Sequence, residues 1–244
     1  MSQLAIIGGT GLTKLSNFTV SRKEAIDTPY GAPSAELLWG KLGNTDCVFL
    51  PRHGEQHQFP PHKVNYRANI WALKSIGIQN VVGVAAVGGL TEKMGPKVIC
   101  VADQLIDYTY GREHTFYQEP GEGVEHIDFT HPYDANLRQR LIDTANTIGL
   151  SVETTGCYGA TQGPRLETAA EVQRLIRDGN DLVGMTGMPE AALAKEAGMR
   201  YANLSLVVNW GAGLTDEEIT MDEIHANLEG GMQHVVNLLG NLQT

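Results

Sequence analysis

The sequence is poor in cysteine, has no long apolar run and carries more acid than base. Its 244 residues include only three cysteines, Cys47, Cys100 and Cys157. They are widely spaced and odd in number, and no C-x-x-C occurs, so a disulfide framework is excluded and a reducing compartment is expected. No stretch approaches the roughly 18 apolar residues that a membrane span requires. The first residues show no basic segment, apolar run and cleavage site in series, so a soluble, cytoplasmic protein is expected. Lys and Arg number 18 against 28 Asp and Glu, for a net charge of −10. With no basic cluster, nucleic acid and lipid surfaces are excluded as partners. An anionic substrate would have to be met by a few placed groups.

What is present is a series of short apolar runs separated by helical patterns. Strands are predicted over 4–8, 36–42, 45–51, 80–87, 97–104, 151–159, 181–185 and 200–208. Several, such as "NVVGVAAV" and "NLSLVVN", are apolar at nearly every position, as strands covered on both faces are. Leu137, Leu141, Ala145 and Ile148 mark one face of a helix over 134–149. Ile224, Leu228, Met232, Val235, Val236 and Leu239 do the same near the C-terminus. Pro189 suits the first turn of a helix that Gly198 closes. Residues 108–133 are aromatic, rich in His and Gly, and have neither period, which marks a long functional or interface loop. The expectation is a single α/β domain over 1–244, a central sheet flanked by helices.

Three strand ends invite a functional reading. "LAIIGGTGLTKL" (4–15) runs a strand into glycines, but G-x-G-x-x-G fails, because Lys14 or Thr10 stands where a glycine is needed, and a P-loop fails because no Gly-Lys-Ser/Thr follows. The turn suits one small anion, held by backbone N–H groups and Thr10, or else it simply ends a strand. "LPRHGEQH" (50–57) places Arg52 and His53 at the next such end, where open α/β sheets bind their ligands. Arg52 offers a planar fork for phosphate and His53 a further donor; a surface salt bridge is the plainer alternative for Arg52. His53, His57 and His62 lack the Cys or carboxylate that would complete a zinc site. "VAAVGGL" (84–90) is a third end, with backbone N–H groups near Ala86 that could face the same anion.

Together with "DTPYGAPS", "KVNYRANIWALK", "GPRLETAAE" and "MTGMPEAALAKEAGMRYANLSLVVN", these segments resemble the trimeric purine nucleoside phosphorylase family, especially its methylthioadenosine phosphorylase branch. The resemblance runs from about residue 4 to about 236. It implies a mixed, barrel-like sheet, a homotrimer with sites near subunit interfaces, and cleavage of a purine N-glycosidic bond by orthophosphate as co-substrate, with no cofactor and no metal. It assigns phosphate to Thr10, Arg52, His53, Ala85, Ala86 and Thr186, with His53 and Asn209 catalytic. Relatives of the methylthioadenosine type carry Thr where Ala85 stands, which removes one hydroxyl contact.

The same resemblance places Leu166, Glu167, Met185, Asn209, Trp210, Gly211, Met221 and Ile224 around the nucleoside, with His126 reaching into a neighbouring subunit's site. The methylthioadenosine branch has aspartates where Asn209 and Gly211 stand, and Ser where Glu167 stands; Glu and Asn resemble the 6-oxopurine enzymes. An ionised Glu167 can only accept a hydrogen bond, so it suits N1–H of hypoxanthine and opposes the N1 lone pair of adenine. Asn209 can serve O6 and N7, or flip to serve adenine. Met221 falls where 6-oxopurine enzymes hold a 5′-hydroxyl with His, and its thioether suits a methylthio group. The expected substrate is therefore 5′-methylthioinosine. Relaxed methylthioadenosine cleavage, general inosine/guanosine phosphorolysis, a non-catalytic nucleoside-binding module and a nicotinamide-dependent reductase are the alternatives.

Overall fold

The computed structural model describes residues 4–9, 12, 18–118, 121, 123, 125–243. Ten strands are present among them: β1 Leu4–Gly8, β2 Phe18–Glu24, β3 Leu37–Leu42, β4 Thr45–Pro51, β5 Asn80–Gly89, β6 Ile99–Val101, β7 Gln104–Asp107, β8 Cys157–Ala160, β9 Leu182–Gly184 and β10 Arg200–Trp210. The helices are α1 Tyr66–Ser75, α2 Ala135–Thr147, α3 Ala169–Arg177, α4 Gly187–Glu196 and α5 Met221–Gly240. None of them is long and apolar enough to cross a membrane.

The apolar strands occupy the middle of a mixed sheet. β1 pairs in parallel with both β4 and β5, and β5 pairs in parallel with β10 along its whole length. β10 also pairs antiparallel with β6, β7 pairs with β8, β8 with β9, and β9 returns antiparallel to β5. Since β6 and β7 are consecutive, these pairings bend the sheet into a barrel-like ring. Alternation along the strands sends residues to opposite faces. Ala5, Ile7, Val81 and Ala85 pack with Ile70 and Leu73 of α1 and with Ala191 and Leu193 of α4. Leu4, Ile6, Val82 and Val84 pack with Leu137 and Leu141 of α2 and with Val235 and Leu239 of α5. Covering both faces is what requires the near-continuous apolar runs.

Three expectations are corrected. The run 97–104 breaks at Ala102-Asp103 into β6 and the start of β7, and the strand expected over 151–159 is shorter and later, 157–160. β2 was not expected at all; it is an edge strand whose FTVSRKE residues are exposed or half-exposed, so no buried face leaves a pattern. Pro189, by contrast, stands in the first turn as expected: Met188 before it is extended (φ −122°, ψ 143°), so the helical backbone of α4 begins at the proline.

Candidate active site

One edge of β5 creates the site. β10 holds the other edge from Asn80 to Gly89. On the open edge β1 reaches only Gly83, and β9 joins only at Gly88. Between them Val84–Val87 have no strand partner there, and they line a cavity of about 530 Å³. Ala86 is the one exposed position of β5. The Val84 carbonyl on this edge accepts from Arg52, and Ala86, two residues on, turns its N–H the same way.

The cavity brings together Arg52, His53, Ala85, Ala86, Leu166, Glu167, Met185, Thr186, Asn209, Gly211, Met221 and Ile224. Thr10 lies outside the described residues, although Gly9 beside it lines the cavity. His126 is exposed and Trp210 half-buried, and neither lines it. Trp210 contributes through its backbone, as described below.

Arg52 is not the surface residue of the plainer reading, nor is its fork turned to the cavity. It is 2% exposed and forms a bidentate pair with Glu190, Nε to Oε2 and Nη2 to Oε1, each 2.7 Å. Nη1 donates to the Val84 carbonyl and Nη2 also to that of Ile7. A single N–H on Nη1 remains for a ligand. Burial alone would lower the Arg52 pKa, but the Glu190 carboxylate more than offsets it and holds the guanidinium charged. Glu190 is fully buried and also accepts from the Tyr201 hydroxyl at 2.8 Å. A Cβ at Gly83 would overlap that hydroxyl, so the glycine makes room for the group. Sequence reading missed Glu190, whose only signal is its place in the first turn after Pro189.

His53 also departs from expectation. Its Nδ1 lies 2.8 Å from the Phe59 carbonyl. A carbonyl can only accept, so Nδ1 bears the proton and Nε2 of the neutral ring is an acceptor rather than a further donor. Burial first, then the neighbouring Arg52 charge, push its pKa down to about 4.

Glu167 and Asn209, the residues expected to read the base, are held from behind. Glu167 immediately precedes Thr168, which caps α3 in a reciprocal capping box with Glu171. Thr161 Oγ1 donates to Glu167 Oε1 at 2.7 Å, a support that sequence reading missed. On β10 the register slips between Val207 and Asn209, and this bulge turns both Val208 and Asn209 to the cavity. Asn209 Nδ2 donates to the Trp210 carbonyl at 2.7 Å. A flipped amide would set Oδ1 against that carbonyl, so the structure resists the flip that the sequence left open. Arg112, also missed, ties the walls together: it donates to the carbonyls of Thr161, Gln162, Met185 and Met188. Apolar lining comes from Ile219, Met221, Ile224, Leu228 and Met232 around the start and middle of α5.

The arrangement can hold an oxyanion beside Arg52, His53, Ala86 and Thr186, with a carboxylate and an amide available to a heterocycle and an apolar wall for a thioether. The profile of the family described as "Phosphorylase superfamily" matches residues 3–242. A relative described as a probable S-methyl-5′-thioinosine phosphorylase, from Xanthomonas campestris pv. campestris, is 52% identical over 240 residues, 98% of this chain and 96% of that protein. A 6-oxopurine nucleoside phosphorylase from Pyrococcus furiosus is 40% identical, covering 98% of this chain and 91% of that one. Among solved structures, methylthioadenosine phosphorylase from Schistosoma mansoni in complex with adenine superposes with a TM-score of 0.94 at 33% identity, over 99% of this chain and 91% of that one.

Proposed function

The chain belongs to the phosphorylase superfamily, and from that premise we propose that it cleaves 5′-methylthioinosine with inorganic phosphate, releasing hypoxanthine and 5-methylthioribose 1-phosphate. The observation that carries this reading is the joint presence of Glu167, Asn209 and Met221 in one cavity with Arg52 and His53. Breaking C1′–N9 builds positive charge on the sugar and negative charge on the purine. Phosphate held at the β5 edge stabilises that cation and forms the new C1′–O bond, while the phosphate proton balances the one that hypoxanthine gains. Asn209, its Nδ2 anchored by Trp210, has Oδ1 for a protonated N7 and its second N–H for O6. Glu167 takes N1–H. Met185 lies under the ribose, with Leu166 beside it, and Met221 and Ile224 meet the methylthio group.

Orthophosphate is the co-substrate, with Thr10 adding a hydroxyl to its site; no cofactor or metal enters. The working form is a homotrimer in which His126 of one subunit closes a neighbour's site. A second reading, methylthioadenosine cleavage, draws on the solved structures, and Glu167 opposes it. Incubation with methylthioinosine tests the proposal: hypoxanthine should appear only when phosphate is present, in equal amount with the sugar phosphate, and chelators should leave the rate unchanged. Binding without turnover, or base release that ignores phosphate, would overturn it.

A further inference from the structure

His53 is placed beside Gly9 with its protonation already decided. Nδ1–H is committed to the Phe59 carbonyl at 2.8 Å. A Cβ added to Gly9 would sit 3.6 Å from His53 Cδ2 and 4.0 Å from Nε2, so the Cδ2–Nε2 edge faces Gly9 in the cavity. Among the described residues no hydrogen bond to Nε2 is formed. The Nε2 lone pair is therefore on the Gly9 side of the ring, where the proposed reaction would place its anion.

We propose that His53 meets that anion as an acceptor, so that the site takes an oxyanion still bearing a proton, hydrogenphosphate or its arsenate analogue, and discriminates against sulfate, which has none. This inference rests on the phosphorolysis reading and deepens it. Hydrogenphosphate donates its P–OH to Nε2 and receives the Arg52 Nη1–H and the Ala86 N–H on its other oxygens. Sulfate matches it in size and charge but would set an oxygen lone pair against the Nε2 lone pair. Arg52 and His57 are the charged and titratable groups against the ring, His57 with its ring centroid 4.7 Å away. Both lower the proton affinity of the imidazole in the ligand-free site.

The test needs no nucleoside, so it is separable from the activity itself. Phosphate and sulfate are titrated into the protein at pH 8 by calorimetry, and sulfate is also assayed as a competitor of phosphate. Sulfate should bind about tenfold or more weakly, the cost of leaving one acceptor facing another. Equal affinity would overturn the proposal while leaving phosphorolysis standing. His53→Gln, whose amide can turn a donor to the anion, should bring the ratio toward unity; an unchanged ratio would contradict the assignment. Imidazole nitrogen chemical shifts of the unsubstituted protein give a reading independent of any variant. They should show Nδ1 protonated and Nε2 bare, and a proton on Nε2 would contradict it.

Discussion

At the scale of single residues, Arg52 shows how burial changes what a substitution does. If it were a free phosphate clamp, Arg52→Ala would chiefly raise the KM for phosphate. Paired with the fully buried Glu190, it cannot be removed without leaving a carboxylate uncompensated, a loss of about 3–5 kcal/mol. Arg52→Ala is therefore expected to lower the thermal midpoint sharply as well as weaken phosphate, and Glu190→Gln to destabilise without touching any ligand; thermal unfolding beside phosphate titration separates the two. Neither effect was legible, because the partners lie 138 residues apart. Base choice is argued at the same scale. Glu167→Ser with Asn209→Asp should shift preference toward methylthioadenosine, read as the ratio of kcat/KM values. Adding Gly211→Asp should cost stability, since a Cβ there would lie 2.8 Å from Leu90 Cδ2.

Among the elements, α5 and β10 shape the proposed sugar and base sides of the cavity. Met221 opens α5 behind the Thr220 cap, and at 60% exposure it sits at the mouth of the cavity rather than in the core. Met221→His should thus fold normally and improve inosine relative to methylthioinosine by about 10- to 200-fold, the range for one mismatched group in an apolar pocket. An unchanged ratio would mean that Met221 does not contact the sugar. The bulge in β10 could not be read from "SLVV", an apolar run that suits a regular buried strand. By contrast, β1, β4 and β5 were legible almost to the residue, because their apolar runs stop at glycine or at Pro51-Arg52. β2 left no signal because its edge position buries neither face.

At the scale of the whole molecule, His53 couples stability to pH. Its folded pKa of about 4 lies below the ordinary histidine value of 6.5, so between those values the unfolded chain binds more protons and acid favours unfolding. The contribution is complete above pH 6.5 and amounts to ~3 kcal/mol lost as pH falls toward 4. Urea midpoints across this window should fall less steeply in His53→Asn than in the unsubstituted protein. The site as a set was legible because strand ends gather at one end of an α/β sheet, which groups Arg52, Ala86 and Asn209 whatever their details. The orientation of each group was not, because it depends on backbone acceptors such as the Phe59 and Trp210 carbonyls that no side-chain pattern encodes.

The central claim is that the assembled cavity reads a 6-oxopurine through Glu167, and one measurement addresses it directly. With saturating phosphate and equal methylthioinosine and methylthioadenosine in one vessel, the initial rates of hypoxanthine and adenine release give the ratio of the two kcat/KM values. A carboxylate facing the adenine N1 lone pair costs about 1–3 kcal/mol, so hypoxanthine should form roughly ten to several hundred times faster. Adenine released as fast as hypoxanthine would contradict the account.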